Sequence, residues 1–150
     1  MSATVFDAAA YILTKTKEMT TMKLQKLLYY SQAWSLVWDE KPIFDEDFEA
    51  WANGPVCKKI YDVHQGCFHI KEGFFDIHGG SVSNLNSNAI ETIDIVLRDY
   101  GDYTPIQLSY LTHKEAPWRK AREGYGPGEW CDEIITKESM QQYYGGLSTN

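Results

Sequence analysis

The amino-acid sequence predicts a mainly α fold: a single compact multi-helix domain, residues 1–150, around a central buried helix, with a minor short-strand element near residues 43–52. The first supporting observation is the segment 21–38, a run of good helix formers with apolar side chains on nearly all sides. The second is a series of Ser, Thr or Asn residues that each precede an apolar helical period. The third is a hydrophobic fraction of 43%, with 14% aromatic residues, which is typical of a well-packed core.

The first two helices are predicted from their caps and from apolar spacing. Thr4 is expected to cap a helix over residues 5–17. Thr20 or Thr21 is then expected to cap the central helix, which ends near residue 38 before a polar turn that contains a proline. Because the link between the two helices is short, we expect them to pack side by side.

The central helix carries two cations in its first two turns, Lys23 and Lys26. A helix that is apolar nearly all round must be covered by other elements on most sides. We therefore expect Lys23 and Lys26 to mark the one strip that reaches water, with their aliphatic stems packed against neighbours.

A strand region and a turn follow the central helix. Residues 43–52 combine partial alternation with aromatic side chains, which predicts one or two short strands bent at their acidic middle. Asn53 and Gly54 tolerate turn dihedral angles, and Pro55 suits the first turn of a helix. We expect that helix to occupy residues 56–64.

The second half of the chain is predicted to begin with a long loop over residues 66–87, containing a short strand or turn. Four helices should follow it. The first is capped by Ser87 or Asn88 and closed by Gly101, and the second begins at Thr104-Pro105 and runs to His113. The third begins at about Pro117. The fourth is capped by Thr136 and ends at Tyr144, before Gly145-Gly146 and a frayed tail after about residue 145.

Charge and cysteine content limit which partners and which cellular compartment are expected. The net charge of −7 argues against nucleic acid, because phosphate binding depends on clustered Lys and Arg. Three cysteines fit a reducing compartment better than a disulfide framework. No stretch approaches the length of a membrane span. We therefore predict a cytoplasmic protein with no nucleic-acid partner and no membrane contact.

Sequence signatures of catalysis are absent: there is no glycine-rich phosphate loop, no GxSxG, no HExxH and no CxxC. The densest group of metal-type ligands is Cys57, His64, Cys67 and His69. Their spacing fits no common zinc module, although four such ligands could in principle converge. We predict no catalytic residues, no cofactor and no metal, and we keep a metal-dependent or Cys/His-dependent enzyme as a third hypothesis.

Three blocks of sequence stand out in order. The first is MKLQKLLYYSQAW at residues 22–34, and the second is FEAWANGPV at residues 48–56, followed by Ile60-Tyr61. The third is LSYLTH at residues 108–113 with Pro117-Trp118. In this combination they resemble the Panacea-domain family, which includes SocA-like antitoxins and phage-associated GepA-like proteins.

The resemblance implies a mainly helical antitoxin of a toxin–antitoxin system, which neutralises a cognate protein toxin by direct binding. In one branch of the family, it also implies delivery of the toxin to a cellular protease. The alternative is a prophage or mobile-element accessory protein of the same fold that binds another host factor, for example to counter a defence system. Both hypotheses describe a binding protein and not an enzyme.

The candidate partner-binding residues come from the second and third blocks. These blocks contain more aromatic and turn residues than the predicted turn and helix ends require, and tryptophan is common among the residues that contribute most to interface binding. The central helix is expected to serve as scaffold. The candidates are Trp51, Asn53, Gly54, Pro55, His113 and Trp118.

Overall fold

A computed structural model of the protein describes residues 3–148. Helices account for 58% of the chain, with seven α-helices among the described residues, and this confirms the mainly α prediction. The helices are α1 Val5–Thr16, α2 Thr21–Trp38, α3 Lys58–His64, α4 Ser87–Tyr100, α5 Pro105–Lys114, α6 Ala116–Ala121 and α7 Lys137–Ser148.

Short antiparallel strands form two small sheets among the described residues. The strands are β1 Glu18–Thr20, β2 Phe48–Trp51, β3 Gly54–Val56, β4 His69–Lys71 and β5 Ile134–Ile135. One sheet pairs β1 with β4, and the other has the order β3-β2-β5. In the second sheet Trp51 pairs with Gly54 and Ala50 with Pro55, so β2 and β3 make a tight hairpin whose tip is Ala52-Asn53.

The predicted helix starts are confirmed at several caps. Thr4 and Asp7 form a capping box on α1, in which the Thr4 amide donates to Asp7 Oδ2 at 2.7 Å. Thr20 caps α2 and Thr104 caps α5, each accepting a hydrogen bond from a first-turn amide. The cap of α4 is Asn86, one residue before Ser87 and two before Asn88, the two predicted caps.

Helix α2 packs against α1, α4, α5 and α7 and against β3. Most of its side chains are buried, including polar ones such as Gln25 and Gln32. Its aromatic centre joins other elements through a buried carboxylate, because Tyr30 Oη and Tyr144 Oη each donate to Glu115 Oε1 at 2.7 Å. This polar contact ties α2, α7 and the start of α6 together inside an otherwise apolar core.

The structure corrects the predicted helix start at Pro55. Pro55 lies in β3, and α3 begins at Lys58 with Cys57 in the N-cap position. The two residues between Trp51 and Gly54 close a hairpin, which competes successfully with helix initiation at the same turn signal. β3 is an edge strand, where a residue without an amide proton is tolerated.

The predicted strand region of residues 43–52 is only partly a strand. β2 covers Phe48–Trp51, while residues 43–47 form neither strand nor helix. The side chain of Gln32 pairs with the backbone of the two buried residues of this segment: its Oε1 accepts from the Ile43 amide at 2.8 Å, and its Nε2 donates to the Phe44 carbonyl at 2.7 Å.

Two further elements differ from the prediction. The short strand of the long loop is β4, His69–Lys71, which pairs with a strand that was not predicted between α1 and α2. Helix α7 continues through Gly145 and Gly146 to Ser148, past the expected stop at Tyr144. Residues 149 and 150 of the predicted frayed tail lie outside the described part of the chain.

Candidate functional site

The β2–β3 hairpin is held at its carbonyl groups by side chains from α5, α6 and the residue after α6. Ser109 Oγ donates to the Asn53 carbonyl at 2.6 Å, and Trp118 Nε1 donates to the Trp51 carbonyl at 2.8 Å. Arg122, which also lies over the Trp118 ring, donates to the Ala50 carbonyl at 2.8 Å. These contacts fix the hairpin against α5 and α6, so that its tip has a defined position.

Gly54 leaves the space that the side chain of Lys26 occupies. Its φ is +123°, a conformation that residues with a side chain rarely adopt. A β-carbon built on Gly54 would lie 2.5 Å from Lys26 Cε and 3.1 Å from Thr112 Oγ1. The lysine stem therefore runs directly beneath the hairpin, between α2 and α5.

The structure corrects the prediction that Lys26 reaches water. Lys26 is 2% exposed, because β3 covers the strip of α2 on which it lies. Burial lowers its pKa to about 8, and none of the ion pairs within residues 3–148 includes Lys26 to oppose the shift. Lys26 is thus a buried cation without an ionic partner in the described part of the chain.

Two histidines lie close enough to Lys26 to respond to its charge. The pKa of His64 is lowered by burial and, to a smaller extent, by Lys26. The pKa of His113 is lowered by burial first, then by Lys26 and Arg122. Both imidazoles are therefore neutral at neutral pH, and they leave Lys26 as the cation of the site.

Gln25 positions the start of α3 beside Lys26. Its Oε1 accepts from the Cys57 amide at 2.8 Å, and its Nε2 donates to the Cys57 carbonyl at 3.3 Å and lies 3.0 Å from His64 Nε2. Through these three contacts, both the amide oxygen and the amide nitrogen of Gln25 connect α2 to the start of α3. The buried His64 ring is fixed by the same contact.

A cavity of about 360 Å³ opens above Lys26, and we name it the Lys26 pocket. One wall is aromatic: the Trp51 ring centroid lies 4.7 Å from that of Tyr61 and 5.1 Å from that of Trp130. The lining residues are Thr21, Met22, Gln25, Lys26, Trp51, Ala52, Asn53, Val56, Tyr61, His64 and Trp130. A larger cavity of about 460 Å³ is formed by other residues, including Asp39 and Lys41, and contains none of the predicted site residues.

The six candidate partner-binding residues lie on the hairpin or on the helices that hold it, but with different exposures. Asn53 is exposed at the tip and Trp51 is half-buried in the pocket wall, whereas Gly54 and Pro55 are buried. Trp118 is 9% exposed and stacks on the His113 ring at a centroid distance of 3.9 Å. Gly54, Pro55 and Trp118 therefore shape the site from below its surface.

His113 has one polar atom with no partner in the described residues. Its Nε2 is buried and makes no hydrogen bond, while the ring is half-buried against Trp118. A neutral imidazole with one unpaired nitrogen is destabilising unless a further group pairs with it. Its role as a contact residue stays a prediction.

The structure does not bring Cys57, His64, Cys67 and His69 together as a ligand set. Cys57 is buried at the start of α3, where burial raises its pKa to about 11. Cys67 is exposed, and His69 Nε2 lies 3.4 Å from Glu18 Oε1. Within residues 3–148, no group of three or more His, Cys, Asp or Glu side chains is placed to hold a metal ion.

Of the residues that line the Lys26 pocket, the sequence identifies only Trp51 and Asn53 as partner-binding candidates, and it misses the cation Lys26 and the wall residues Tyr61 and Trp130. Helical periodicity contains no signal for the burial of Lys26, because it does not show which strip of α2 is covered by β3. Trp130 follows a glycine-rich loop and comes more than 70 residues after the hairpin, so its place in the wall depends on tertiary structure.

Comparisons with known proteins give one match. A family model described as "Antitoxin SocA-like, Panacea domain" matches residues 24–119. That range includes Lys26, the whole β2–β3 hairpin and the Ser109 and Trp118 side chains that hold it. Neither the search of curated proteins nor the search of solved structures returned a match. Within residues 3–148, no helix has the length and apolar character needed to cross a membrane.

Proposed function

The chain belongs to the family of SocA-like antitoxins with a Panacea domain, and from this premise we propose that it neutralises a cognate protein toxin by binding it directly. The observation that carries the proposal is the family match over residues 24–119, which spans α2 to α5 and the whole β2–β3 hairpin, while Arg122 and Trp130 lie beyond it. The activity proposed is binding in the cytoplasm, without catalysis.

The surface that supports this proposal lies around the hairpin tip. Trp130 is 61% exposed at the rim of the Lys26 pocket, beside Trp51 and Asn53. Ser109 joins the tip to α5, whose outer side presents Ile106 and Tyr110 at 62% and 64% exposure. We name these five residues, Trp51, Asn53, Ile106, Tyr110 and Trp130, the hairpin face.

The composition and rigidity of the hairpin face suit a protein interface. Trp and Tyr are enriched among the residues that contribute most to binding free energy. The hairpin is held by the three side-chain hydrogen bonds to its carbonyl groups, so little conformational entropy remains to be lost when a partner binds. A buried scaffold with a fixed aromatic rim is therefore the arrangement that the proposed function requires.

The proposal is tested by co-expression. The protein encoded by the adjacent reading frame is induced alone and together with this chain, and growth is measured. We expect toxicity alone, rescue on co-expression and co-purification of the two proteins. A harmless neighbour that does not co-purify would contradict the proposal. The toxin level, measured in the same cells, separates direct occlusion, which leaves the level unchanged, from delivery to a protease, which lowers it.

The hairpin face is tested by a matched pair of substitutions. Trp130→Ala removes an aromatic ring that is 61% exposed at the rim of the Lys26 pocket. We expect this variant to weaken toxin binding at least tenfold, which corresponds to a loss of more than about 1.4 kcal/mol of binding free energy. Ile77→Ala removes an apolar side chain that is 88% exposed in a short 3₁₀ turn away from the face. Equal effects of the two variants would show that the hairpin face is not the interface.

A further inference from the structure

We propose that the Lys26 pocket is a binding site for a single carboxylate carried beside an aromatic or other flat apolar group. The proposal concerns the chemistry of the pocket and stands independently of the toxin. It is carried by three features: a buried cation without an ionic partner, a lining that holds no competing anion, and an aromatic wall in the same cavity.

The first feature is the unpartnered ammonium group of Lys26. The residue is 2% exposed and lines the pocket, and no described side chain opposes its charge. Burying a charge without a partner is strongly destabilising, and an apolar residue of the same length would avoid that penalty. The lysine is nevertheless accommodated by a glycine at φ +123° directly above it. The geometry therefore maintains a cation where stability alone would favour a methionine.

The second feature is the charge of the pocket lining. The residues that form it include Lys26 and one histidine, His64, and no aspartate or glutamate. His64 is neutral at neutral pH because burial and Lys26 lower its pKa. One cation matches one carboxylate, whereas a phosphate dianion would keep a charge without a partner against an apolar wall. The match in charge therefore favours a monoanion.

The third feature is the shape and composition of the wall. Trp51, Tyr61 and Trp130 form a continuous aromatic surface, with neighbouring ring centroids 4.7 and 5.1 Å apart. Aromatic rings favour offset or edge contacts with a further flat group. The volume of about 360 Å³ lies within the range of small-ligand pockets, roughly 300–1,000 Å³. A carboxylate at the floor with a ring against the wall fills such a site.

The carboxylate can come from two sources with the same chemistry. It can belong to a free aromatic acid, or to an acidic side chain that stands beside an aromatic residue on a bound protein. The pocket opens at the hairpin face through Trp51, Asn53 and Trp130, so either source has access to Lys26.

The chemistry is tested with indole-3-acetate and its neutral analogue indole-3-acetamide. Each compound is titrated into ¹⁵N-labelled protein while the five tryptophan indole N–H signals are followed. We expect indole-3-acetate to shift the Trp51 and Trp130 signals saturably and to bind at least about tenfold more tightly than the amide, since a charged hydrogen bond is worth at least about 1.4 kcal/mol. The Trp34 and Trp38 signals, from the far end of α2, should not move.

The role of Lys26 is tested with Lys26→Met, in which we expect the two compounds to bind with equal affinity. Unchanged Trp34 and Trp38 signals verify that the variant is folded. A second readout needs no variant: in the natural protein, the preference for indole-3-acetate should disappear as the pH rises from about 7 to about 10 and the ammonium group loses its proton. Equal binding of acid and amide by the natural protein, shifts elsewhere than Trp51 and Trp130, or a preference that survives Lys26→Met would each overturn the proposal.

The source is separated with the complex of this chain and the adjacent-frame protein. If indole-3-acetate displaces that protein, the carboxylate belongs to an acidic side chain of the partner. If the intact complex binds indole-3-acetate as tightly as the free chain does, the source is a free acid. The titration of the chain alone needs no toxin, so failure of the proposed antitoxin activity and failure of this proposal give different results.

Discussion

The side chain of Lys26 and the backbone of Gly54 occupy adjoining space, with only 2.5 Å between Lys26 Cε and the place where a β-carbon on Gly54 would stand. The lysine comes from α2 and the glycine from the start of β3, so two distant segments of the chain are fitted to each other at this point. The same contact sets the floor of the Lys26 pocket.

Gly54→Ala should lower the free energy of unfolding by about 1–3 kcal/mol, because alanine is strained at φ +123° and its β-carbon meets Lys26. Shortening the lysine in the double variant Gly54→Ala/Lys26→Ala should recover part of this loss. Denaturant unfolding of the two single variants and the double variant measures the coupling, which we expect to be at least about 0.5 kcal/mol. Strictly additive effects would mean that the two residues do not contact each other.

The stability of the protein should depend on pH through Lys26. The folded pKa of about 8 lies below the ordinary value of 10.5. Between those values the unfolded chain binds more protons, so the stability contributed by this group rises as the pH increases. Lys26→Met removes the effect and should be more stable than the natural protein at about pH 7, by up to about 3 kcal/mol.

This comparison isolates Lys26 from other titrating groups. His64 and His113 titrate below neutral pH, while Tyr29, Tyr30 and Tyr144, whose pKa values are raised by burial, ionise only at high pH in the folded state. The tyrosine contributions are common to both proteins and cancel in the difference. Denaturant unfolding from about pH 7 to about pH 10 should show the two stabilities converging, and a constant difference would contradict the prediction.

Tyr144→Phe should destabilise the protein by about 1–3 kcal/mol, because it removes one of the two tyrosine donors to the buried carboxylate of Glu115. Tyr144 is fully buried, and its Oη lies 2.7 Å from Glu115 Oε1 and 3.2 Å from Tyr29 Oη. Tyr143→Phe is the matched control on the same helix, since Tyr143 is only half-buried. Thermal unfolding should separate the two variants, and similar melting temperatures would show that the buried network contributes little.

Ser31→Ala should stabilise the protein by about 1 kcal/mol. Ser31 is fully buried, and its Oγ has no hydrogen-bond partner in the part of the chain that the structure describes. Removing an unsatisfied buried hydroxyl relieves its desolvation penalty, and alanine also has the higher helix propensity. Ser35→Ala, one turn later in α2, should have the opposite sign because Ser35 Oγ donates to the Lys41 carbonyl at 2.7 Å. Urea unfolding of both variants checks the signs.

The helices were predictable because their signals are local. Thr20 and Thr104 each accept from an amide three residues later, and the Thr4 amide donates to Asp7, so the sequence around these caps contains the whole interaction. The hairpin was not predicted, because the same Asn-Gly-Pro segment can start a helix or close two strands. Its outcome depends on side chains such as Ser109 and Trp118, which come more than 50 residues later.

The sequence predicts two of the residues that the hairpin contributes to the Lys26 pocket, but not the residues that α2 contributes. Trp51 and Asn53 were identified by their block and do line the Lys26 pocket. Lys26 was assigned to a water-facing strip, because helical periodicity alone does not reveal that β3 covers that strip. The space under Gly54 explains how the lysine is buried, but it is defined by two segments that are distant in sequence.

The most direct test of the Lys26 pocket is an NMR titration of the Lys26 ammonium group, free and with indole-3-acetate. In the free protein, we predict a pKa of about 8, because the group is buried without a partner. Addition of indole-3-acetate should raise it, since a carboxylate stabilises the charged form. A pKa near the ordinary value of 10.5 that does not move when indole-3-acetate is added would contradict the account.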